Sequence, residues 1–261
     1  MDLKIRNKYA LVTGGTHGIG RSIALALADE GCNIGVCSRN VERIKKVVKE
    51  IKAKGVDCIG VQADVTVKAD VKRVMKKIID TWGTLHILIN NVGGGGRWGN
   101  EIVEETEEKV WVEVYNKNAL SAIRFVNLAI PYMRKQKWGR VVTITSIYGR
   151  EAGGRPWFSM AKTAQTSLMK ALAVKHYLVR DGITFNSVAP GAIMIPDTGW
   201  DKAIKENPRE VKEFIDRELP LGRFGAPEEV ANLVVFLCSE NASLVNGVSI
   251  PADGGQGRSL L

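Results

Sequence analysis

Short apolar runs alternate along the chain with longer stretches that place apolar side chains at helical spacing. Several of the short runs are apolar at nearly every position, which is typical of strands that helices cover on both faces. Strands that alternate with helices in this way indicate repeated crossovers of a parallel sheet.

The pattern predicts an α/β fold of three layers, in which a doubly wound, Rossmann-like parallel sheet of about seven strands lies between two layers of helices. The predicted strands are Tyr9–Thr13, Asn33–Ser38, Asp57–Gln62, His86–Asn90, Arg140–Thr145, Ile183–Ser187 and Val248–Pro251. The predicted helices are Ile19–Glu30, Val41–Lys54, Val67–Thr81, Glu107–Gln136, Pro156–Arg180 and Pro227–Ser239.

No linker rich in proline, glycine or serine divides the chain, so we expect a single domain over residues 1–261. Its most irregular part is Ile193–Gly225, where Pro196, Pro208 and Pro220 bracket a charged and helical piece. A segment this long inside a compact domain is usually a lid or a binding segment. We therefore predict a substrate lid around residues 193–225.

The composition, with 45% hydrophobic and 25% charged residues, is that of an ordinary soluble globular protein. No apolar run approaches the ~20 residues of a membrane span, and the N-terminus lacks an apolar signal core. We expect no membrane association and a cytoplasmic location. The four cysteines form no Cys-x-x-Cys pair, which predicts buried, reduced thiols and neither a disulfide framework nor a metal site.

Lysine and arginine (37) outnumber aspartate and glutamate (28), which gives a formal net charge of +9. This charge fits a nucleic acid, an acidic protein or a phosphorylated ligand. The lysine pairs on the predicted helices are expected to lie on solvent-exposed faces. The sequence has no basic tail and no run of basic residues interspersed with aromatic ones, which nucleic-acid-binding proteins often have. We predict no nucleic-acid partner and keep nucleic-acid binding as a minor alternative.

A glycine-rich turn, Thr13-Gly14-Gly15-Thr16-His17-Gly18-Ile19-Gly20, follows the first strand and opens the first helix. Glycines allow the backbone to approach a diphosphate closely, and the free N–H groups and positive dipole end of the helix attract its charge. The strand–turn–helix context predicts a dinucleotide site. Its predicted contacts in the turn are Gly14, Thr16, His17, Gly18, Ile19 and Gly20.

The second strand ends in Cys37-Ser38-Arg39-Asn40, where a carboxylate would hold the ribose hydroxyls of NAD. Arg39 stands there with no acid beside it and, together with Ser38, Asn40 and His17, fits the 2′-phosphate of NADP. We therefore predict NADP(H) in preference to NAD(H). The alternative is that Arg39 only caps the following helix.

Two further strand ends fit the same site. Asp64 and Val65 close the third strand, where a carboxylate can face the adenine amine. Asn91 and Gly93 lie in Asn90-Asn91-Val92-Gly93, which ends the fourth strand. We predict all four as cofactor-binding residues.

The Thr-Gly-x-x-x-Gly-x-Gly turn, the Asn-Asn-x-Gly turn and Pro190-Gly191 together resemble the short-chain dehydrogenase/reductase family over nearly the whole chain. Segments 221–229 and 245–255 are similar to the 3-oxoacyl-(acyl carrier protein) reductases of that family. The resemblance implies a nicotinamide cofactor, a small carbonyl or alcohol substrate, with an acyl thioester as one option, and commonly a homotetramer. It adds Lys162, Pro190, Gly191 and Ile193 to the implied cofactor contacts.

The resemblance also implies a catalytic set. Asn118 takes the place of an asparagine that supports a proton relay, Ser146 that of a serine that orients the substrate oxygen, and Lys162 that of a lysine that lowers a tyrosine pKa and holds the ribose. The tyrosine position, four residues before the lysine and on the same helical face, is Phe158. Tyr148 and Tyr177 sit at the wrong spacing.

A phenyl ring offers no proton, whereas general acid–base help contributes ~10²–10⁴ in rate. The sequence therefore predicts an NADP(H)-dependent oxidoreductase that interconverts a carbonyl and an alcohol, impaired in proton transfer. Phe158 could be engineered into an active enzyme, or natural, with Tyr148 or a water on Lys162 supplying the proton. The chain could also be an inactive cofactor-binding sensor or structural subunit.

The predicted substrate pocket is walled by Gly94–Trp98, Tyr148–Arg155 and the lid. Arg97, Arg150, Glu151 and Arg155 bring charge to these walls. That charge suggests a polar or anionic substrate group, and ordinary solvated loop charges are the alternative.

Overall fold

A seven-stranded parallel sheet forms the centre of the computed structural model, which describes residues 1–260. Its strands are β1 (Tyr9–Thr13), β2 (Asn33–Ser38), β3 (Cys58–Gln62), β4 (Ile87–Asn90), β5 (Gly139–Ile144), β6 (Ile183–Pro190) and β7 (Ser249–Ala252). They lie in the order β3-β2-β1-β4-β5-β6-β7, and every neighbouring pair is parallel. The predicted doubly wound sheet is confirmed.

Helices cover both faces of the sheet. They are α1 (Gly18–Asp29), α2 (Val41–Lys52), α3 (Lys68–Trp82), α4 (Glu108–Tyr115), α5 (Ser121–Lys135), α6 (Pro156–Ala173), α7 (His176–Val179), α8 (Gly199–Glu206), α9 (Pro208–Glu218) and α10 (Pro227–Leu237). Along β1, Ala10 and Val12 pack into one hydrophobic cluster with α1, α2 and α10, while Leu11 packs into a second with α3, α5 and α6. Both faces are buried, which explains why the strands read as continuous apolar runs.

The predicted helix Pro156–Arg180 is wrong in its last part, because α6 ends at Ala173 and a separate short helix, α7, follows. The side-chain amide of Asn246 donates a hydrogen bond to the Ala173 carbonyl at 3.0 Å. The Asn246 side chain therefore occupies the Ala173 carbonyl, which would accept a hydrogen bond from a backbone N–H if the helix continued.

The predicted helix Glu107–Gln136 forms with one change of pitch. Its first part is α4, its second part is α5, and a π-helical turn over Asn116–Leu120 joins them. Such turns are rare and are frequently found at functional sites. This one carries Asn118.

The segment between Ile193 and Gly225 contains α8 and α9, which confirms the charged helical piece that the sequence predicts there. The segment also has an apolar core of its own. Trp200 stacks on Phe214 with ring centroids 4.6 Å apart, and Phe224 lies 5.0 Å from Trp200. The segment is therefore a packed helical pair that begins where β6 ends.

All four cysteines are free and buried, as predicted. Burial raises the pKa of the Cys37 thiol to about 12, so this thiol is unreactive at neutral pH. Across residues 1–260 no helix is long and apolar enough to cross a membrane.

Candidate active site

The turn between β1 and α1 brings backbone groups close together. Gly14 and Gly18 have φ angles of +65° and +51°, which favour glycine. A Cβ atom on Gly20 would collide with the Gly14 carbonyl oxygen and the Asn91 amide. No acidic side chain lies in the first turn of α1. The free N–H groups and the positive end of the helix dipole are thus available to an anion, which fits the diphosphate of a dinucleotide.

A cavity of about 600 Å³ opens at the carboxyl ends of β1 to β4. Its volume lies within the range of ligand and cofactor sites. In a doubly wound sheet this is the point where strand order reverses, and ligands bind there. The predicted cofactor residues that line it are Gly14, Thr16, His17, Ser38, Arg39, Asp64, Val65, Asn91 and Gly93.

Two arginines and an aspartate place charged groups on the side of the cavity next to β2 and β3. Arg39 and Arg43 line the cavity, and neither guanidinium has a hydrogen-bond or ion-pair partner within residues 1–260. The Asp64 carboxylate accepts hydrogen bonds from the Thr66 hydroxyl at 2.7 Å and the Thr66 N–H at 2.9 Å. The hydroxyl bond is the main cause of the lowered pKa of Asp64. The arginines are thus free to meet an anionic group.

Asn40, predicted as a cofactor contact, instead caps α2. Its side-chain oxygen accepts a hydrogen bond from the Arg43 N–H at 2.9 Å, and Asn40 is not among the residues that line the cavity. The capping role considered for Arg39 therefore belongs to its neighbour, and the Arg39 side chain is left on the cavity wall.

Lys162 and Asn118 converge on Gly93. Lys162 is 4% exposed, and its ammonium donates a hydrogen bond to the Ile144 carbonyl at 3.0 Å. The Asn118 amide binds the Gly94 backbone, donating to its carbonyl at 2.8 Å and accepting from its N–H at 3.2 Å. A Cβ atom on Gly93 would lie 2.8 Å from Lys162 Nζ and 2.7 Å from Asn118 Oδ1. Only a glycine fits between these two groups.

Phe158 lies one helical turn before Lys162 on α6. The Lys162 ammonium is 5.7 Å from the centroid of the Phe158 ring. Burial, followed by repulsion from Lys117, lowers the pKa of Lys162 to about 7. Near neutral pH this buried amine can therefore hold or release a proton.

Ser146 follows β5 with an extended backbone and a half-buried side chain. Its hydroxyl oxygen accepts a hydrogen bond from the Tyr148 N–H at 3.3 Å, which leaves the hydroxyl hydrogen for another acceptor. The turn after it packs on α6, because a Cβ atom on Gly149 would lie 2.9 Å from the Lys162 carbonyl carbon. The serine loop and the Lys162 helix thus belong to one packed unit.

Comparison with known proteins identifies the family. A family model described as enoyl-(acyl carrier protein) reductase matches residues 14–256. The chain is 36% identical over 250 residues to the 3-oxoacyl-(acyl-carrier-protein) reductase FabG of Staphylococcus aureus, covering 95% of this chain and 97% of that protein. The chain belongs to the short-chain dehydrogenase/reductase family. The resemblance drawn from the turns is confirmed.

Other members of the short-chain dehydrogenase/reductase family match equally fully. FabG of Aquifex aeolicus is 35% identical over 257 residues, covering 98% of this chain and 99% of that protein. The structure of L-sorbose reductase from Gluconobacter frateurii, complexed with NADPH and L-sorbose, superposes with a TM-score of 0.92 at 32% identity and full coverage of both chains. These homologues are oxidoreductases of the family, acting on carbonyl or alcohol groups.

Several predicted cofactor residues of this short-chain dehydrogenase/reductase do not line the main cavity. Gly191 packs against Asp253 and Gln256, and Ile193 lines a second cavity of about 270 Å³, together with Leu219 and Gly225. Asn91 does line the main cavity, but its amide donates to the Thr13 carbonyl at 3.0 Å and so ties β4 to β1. The predicted residues outside the lining are Gly18, Ile19, Gly20, Asn40, Lys162, Pro190, Gly191 and Ile193.

Sequence reasoning missed part of the cavity wall. The additional lining residues are Cys37, Arg43, Ala63, Thr66, Val92, Trp98, Glu113, Asn116 and Lys117. Lys117 stands directly before Asn118, but a lysine on a predicted amphipathic helix reads as solvated. The structure shows instead that its side chain lines the cavity.

Glu151, which the sequence suggests as a charge beside the substrate, makes structural contacts instead. Its carboxylate accepts hydrogen bonds from the backbone N–H groups of Arg258 at 2.6 Å and Ser259 at 2.7 Å. Glu151 therefore fastens the C-terminal segment beside the loop that carries Tyr148. Burial, followed by the nearby charges of Glu218 and Glu151, raises the pKa of Tyr148, which makes its phenol a poorer proton donor.

Proposed function

We propose that this chain is an NADP(H)-dependent oxidoreductase that interconverts a carbonyl and an alcohol, with proton transfer impaired by Phe158. The observation that carries the proposal is the arrangement on α6, where the Lys162 ammonium, almost fully buried, lies 5.7 Å from the Phe158 ring. In the family this pair is a lysine and a tyrosine, so the chain keeps the cation and lacks the phenol.

The preference for NADP(H) rests on Arg39. Its guanidinium lies on the cavity wall at the end of β2, has no carboxylate partner within residues 1–260, and can bind a phosphate with two parallel hydrogen bonds. Arg43 lies on the same wall. The L-sorbose reductase structure contains NADPH, which agrees with this preference.

The chain's own residues have distinct parts in the proposed mechanism. The nicotinamide, when bound, supplies or accepts the hydride. Ser146 donates its hydroxyl hydrogen to the substrate oxygen and orients it. Asn118 holds the backbone of Gly94, and Lys162, whose pKa is lowered to about 7, would hold the nicotinamide ribose and can carry a proton. Phe158 transfers no proton, so the substrate oxygen would take its proton from water, by a slower route.

The substrate class that we propose is a small carbonyl compound or alcohol, with acyl thioesters as a subset. The two relatives named FabG reduce 3-oxoacyl groups on the acyl carrier protein by name, and the solved relative holds L-sorbose. We further propose that residues 193–225 act as the substrate lid of one domain, and that the chain forms a homotetramer.

The test is NADPH consumption by the chain and by Phe158→Tyr on a panel of ketoses, keto acids and acyl thioesters. We expect a gain of ~10²–10⁴ in kcat for the variant, because the phenol restores general acid catalysis. The Kd for NADPH, measured in parallel by fluorescence, should stay within about threefold. NADPH binding with no gain on any substrate would refute the catalytic part of the proposal.

The second candidate is a cofactor-occupied sensor or structural subunit. The observation that favours it is Phe158 itself, since a site without the phenol can still bind a dinucleotide. This candidate predicts tight NADPH binding and no turnover by either form of the chain on the whole panel.

A further inference from the structure

Lys117 has an unusual position for a lysine. It lies in the π-helical turn Asn116–Leu120, is half-buried and lines the main cavity. Its ammonium lies 4.6 Å from the centre of the Trp98 ring, and within residues 1–260 it has no hydrogen-bond acceptor or carboxylate partner. Burial, followed by repulsion from Arg39, lowers its pKa. A half-buried ammonium in this state is costly unless an anion enters the cavity.

The charges around the cavity point the same way. The lining cations Arg39, Arg43 and Lys117 have no carboxylate within ion-pair distance in the described chain. The lining acids are Asp64, which is hydrogen-bonded to Thr66, and the exposed Glu113. The cavity therefore offers more positive than negative charge to a ligand.

The place of the ammonium along the cavity indicates which anion it meets. At one end, the charges of Arg39 and Asp64 are close enough to shift the pKa of Lys117. At the other end, the charge of Lys117 is close enough to shift the pKa of Lys162. The first pair lies at the proposed adenosine end and Lys162 at the proposed nicotinamide end. In a dinucleotide, the group between the two nucleoside halves is the diphosphate.

The run of glycines from Gly93 to Gly96 gives this side chain its room. Gly94 has a φ of +126°, and a Cβ atom on it would lie 3.3 Å from Lys117 Nζ. A larger residue at 94 would be strained and would crowd the ammonium. This run of glycines thus leaves room for the side chains of both Lys117 and Lys162.

We infer that Lys117 is a diphosphate-binding residue, which reaches the dinucleotide from the α4 side while the glycine turn binds it from the α1 side. This inference rests on the proposed function, because it requires a nicotinamide dinucleotide in the cavity. It assigns different phosphates to two cations, the 2′-phosphate to Arg39 and the diphosphate to Lys117.

The test compares the Kd values of NADPH and NADH, measured by fluorescence or calorimetry, for single variants. Lys117→Met should weaken both coenzymes by a similar factor of about ten, the size expected for one hydrogen bond to a charged group. Lys117→Arg, which keeps the charge, should restore most of the affinity. Arg39→Met should weaken NADPH alone, because NADH lacks the 2′-phosphate.

Lys8 is a matched control, since its ammonium also stacks on a tryptophan, 4.4 Å from the Trp138 ring, and does not line the cavity. Lys8→Met should leave both Kd values unchanged. An unchanged Kd for both coenzymes in Lys117→Met, or a loss confined to NADPH, would overturn the assignment. If the unmodified chain binds neither coenzyme, the proposed function fails as well. Circular dichroism of each variant excludes misfolding as the cause of a loss.

Discussion

The Lys162 ammonium lies 5.7 Å from the centroid of the Phe158 ring, and its one hydrogen bond within residues 1–260 goes to the Ile144 carbonyl. A positive charge on this nitrogen is therefore balanced by a ring face and a single carbonyl. Burial of such a charge opposes folding, and this has consequences that can be measured.

Lys162→Met should make the chain more stable at pH 6, by about 5 kcal/mol, since the pKa of Lys162 falls from 10.5 to about 7 on folding and each pKa unit corresponds to about 1.4 kcal/mol. The pKa of Lys162 is 10.5 in the ordinary case and about 7 in the folded chain. Between these values the unfolded state binds more protons, so the unmodified chain gains stability as pH rises. The advantage of the variant should shrink from pH 7 to pH 10 in urea unfolding.

Lys170→Met is the control for this prediction, because Lys170 lies exposed on the same helix. Its difference from the unmodified chain should show no such trend with pH. A pH-independent advantage for Lys162→Met would mean that the amine is not held in a lowered-pKa state.

Gly93→Ala should weaken NADPH binding by at least about tenfold. The added methyl group would lie 2.7 Å from Asn118 Oδ1 and 2.8 Å from Lys162 Nζ, distances at which one of the two buried groups must move. Gly96→Ala is the matched control, since its methyl group would make an ordinary contact 3.4 Å from the Phe158 ring. Equal affinities for the two variants would show that the Gly93 contacts do not shape the site.

Asn40→Ala should lower the free energy of unfolding by about 1 kcal/mol, the usual cost of losing a helix N-cap. The NADPH affinity of this variant should fall much less than that of Arg39→Met, because Asn40 caps α2 and does not line the cavity. Urea unfolding and fluorescence titration of the two variants separate the roles. A stable Asn40→Ala protein with a large loss of affinity would contradict this assignment.

The sheet could be predicted from the sequence because strands buried on both faces leave continuous apolar runs, as in β1 and β4. The end of α6 could not, since it depends on a hydrogen bond from Asn246, more than seventy residues further along the chain. Local propensity carries no trace of such a contact.

The site could be predicted where a backbone requirement fixes the residue type. The glycine turn is an example, because positive φ angles and close contacts leave few alternatives to glycine. Arg39 could be predicted as a phosphate contact because no acidic residue stands beside it at the end of β2, where an NAD-binding site would have one. Lys117 could not be predicted, because a lysine in an amphipathic helical pattern is expected to be solvated, whereas this one lies in a π-helical turn and lines the cavity.

The glycine turn before α1 contacts the beginning of the segment from Ile193 to Gly225. Burial, followed by the positive charge of Arg43, lowers the pKa of His17, and a Cβ atom on Gly18 would lie 3.0 Å from the Ile195 side chain. The first residues of the segment from Ile193 to Gly225 thus lie against the glycine turn, where the diphosphate would bind. If this segment acts as the lid that we propose, it would also cover the dinucleotide, so we expect compulsory-order kinetics in which coenzyme adds before substrate and departs after product.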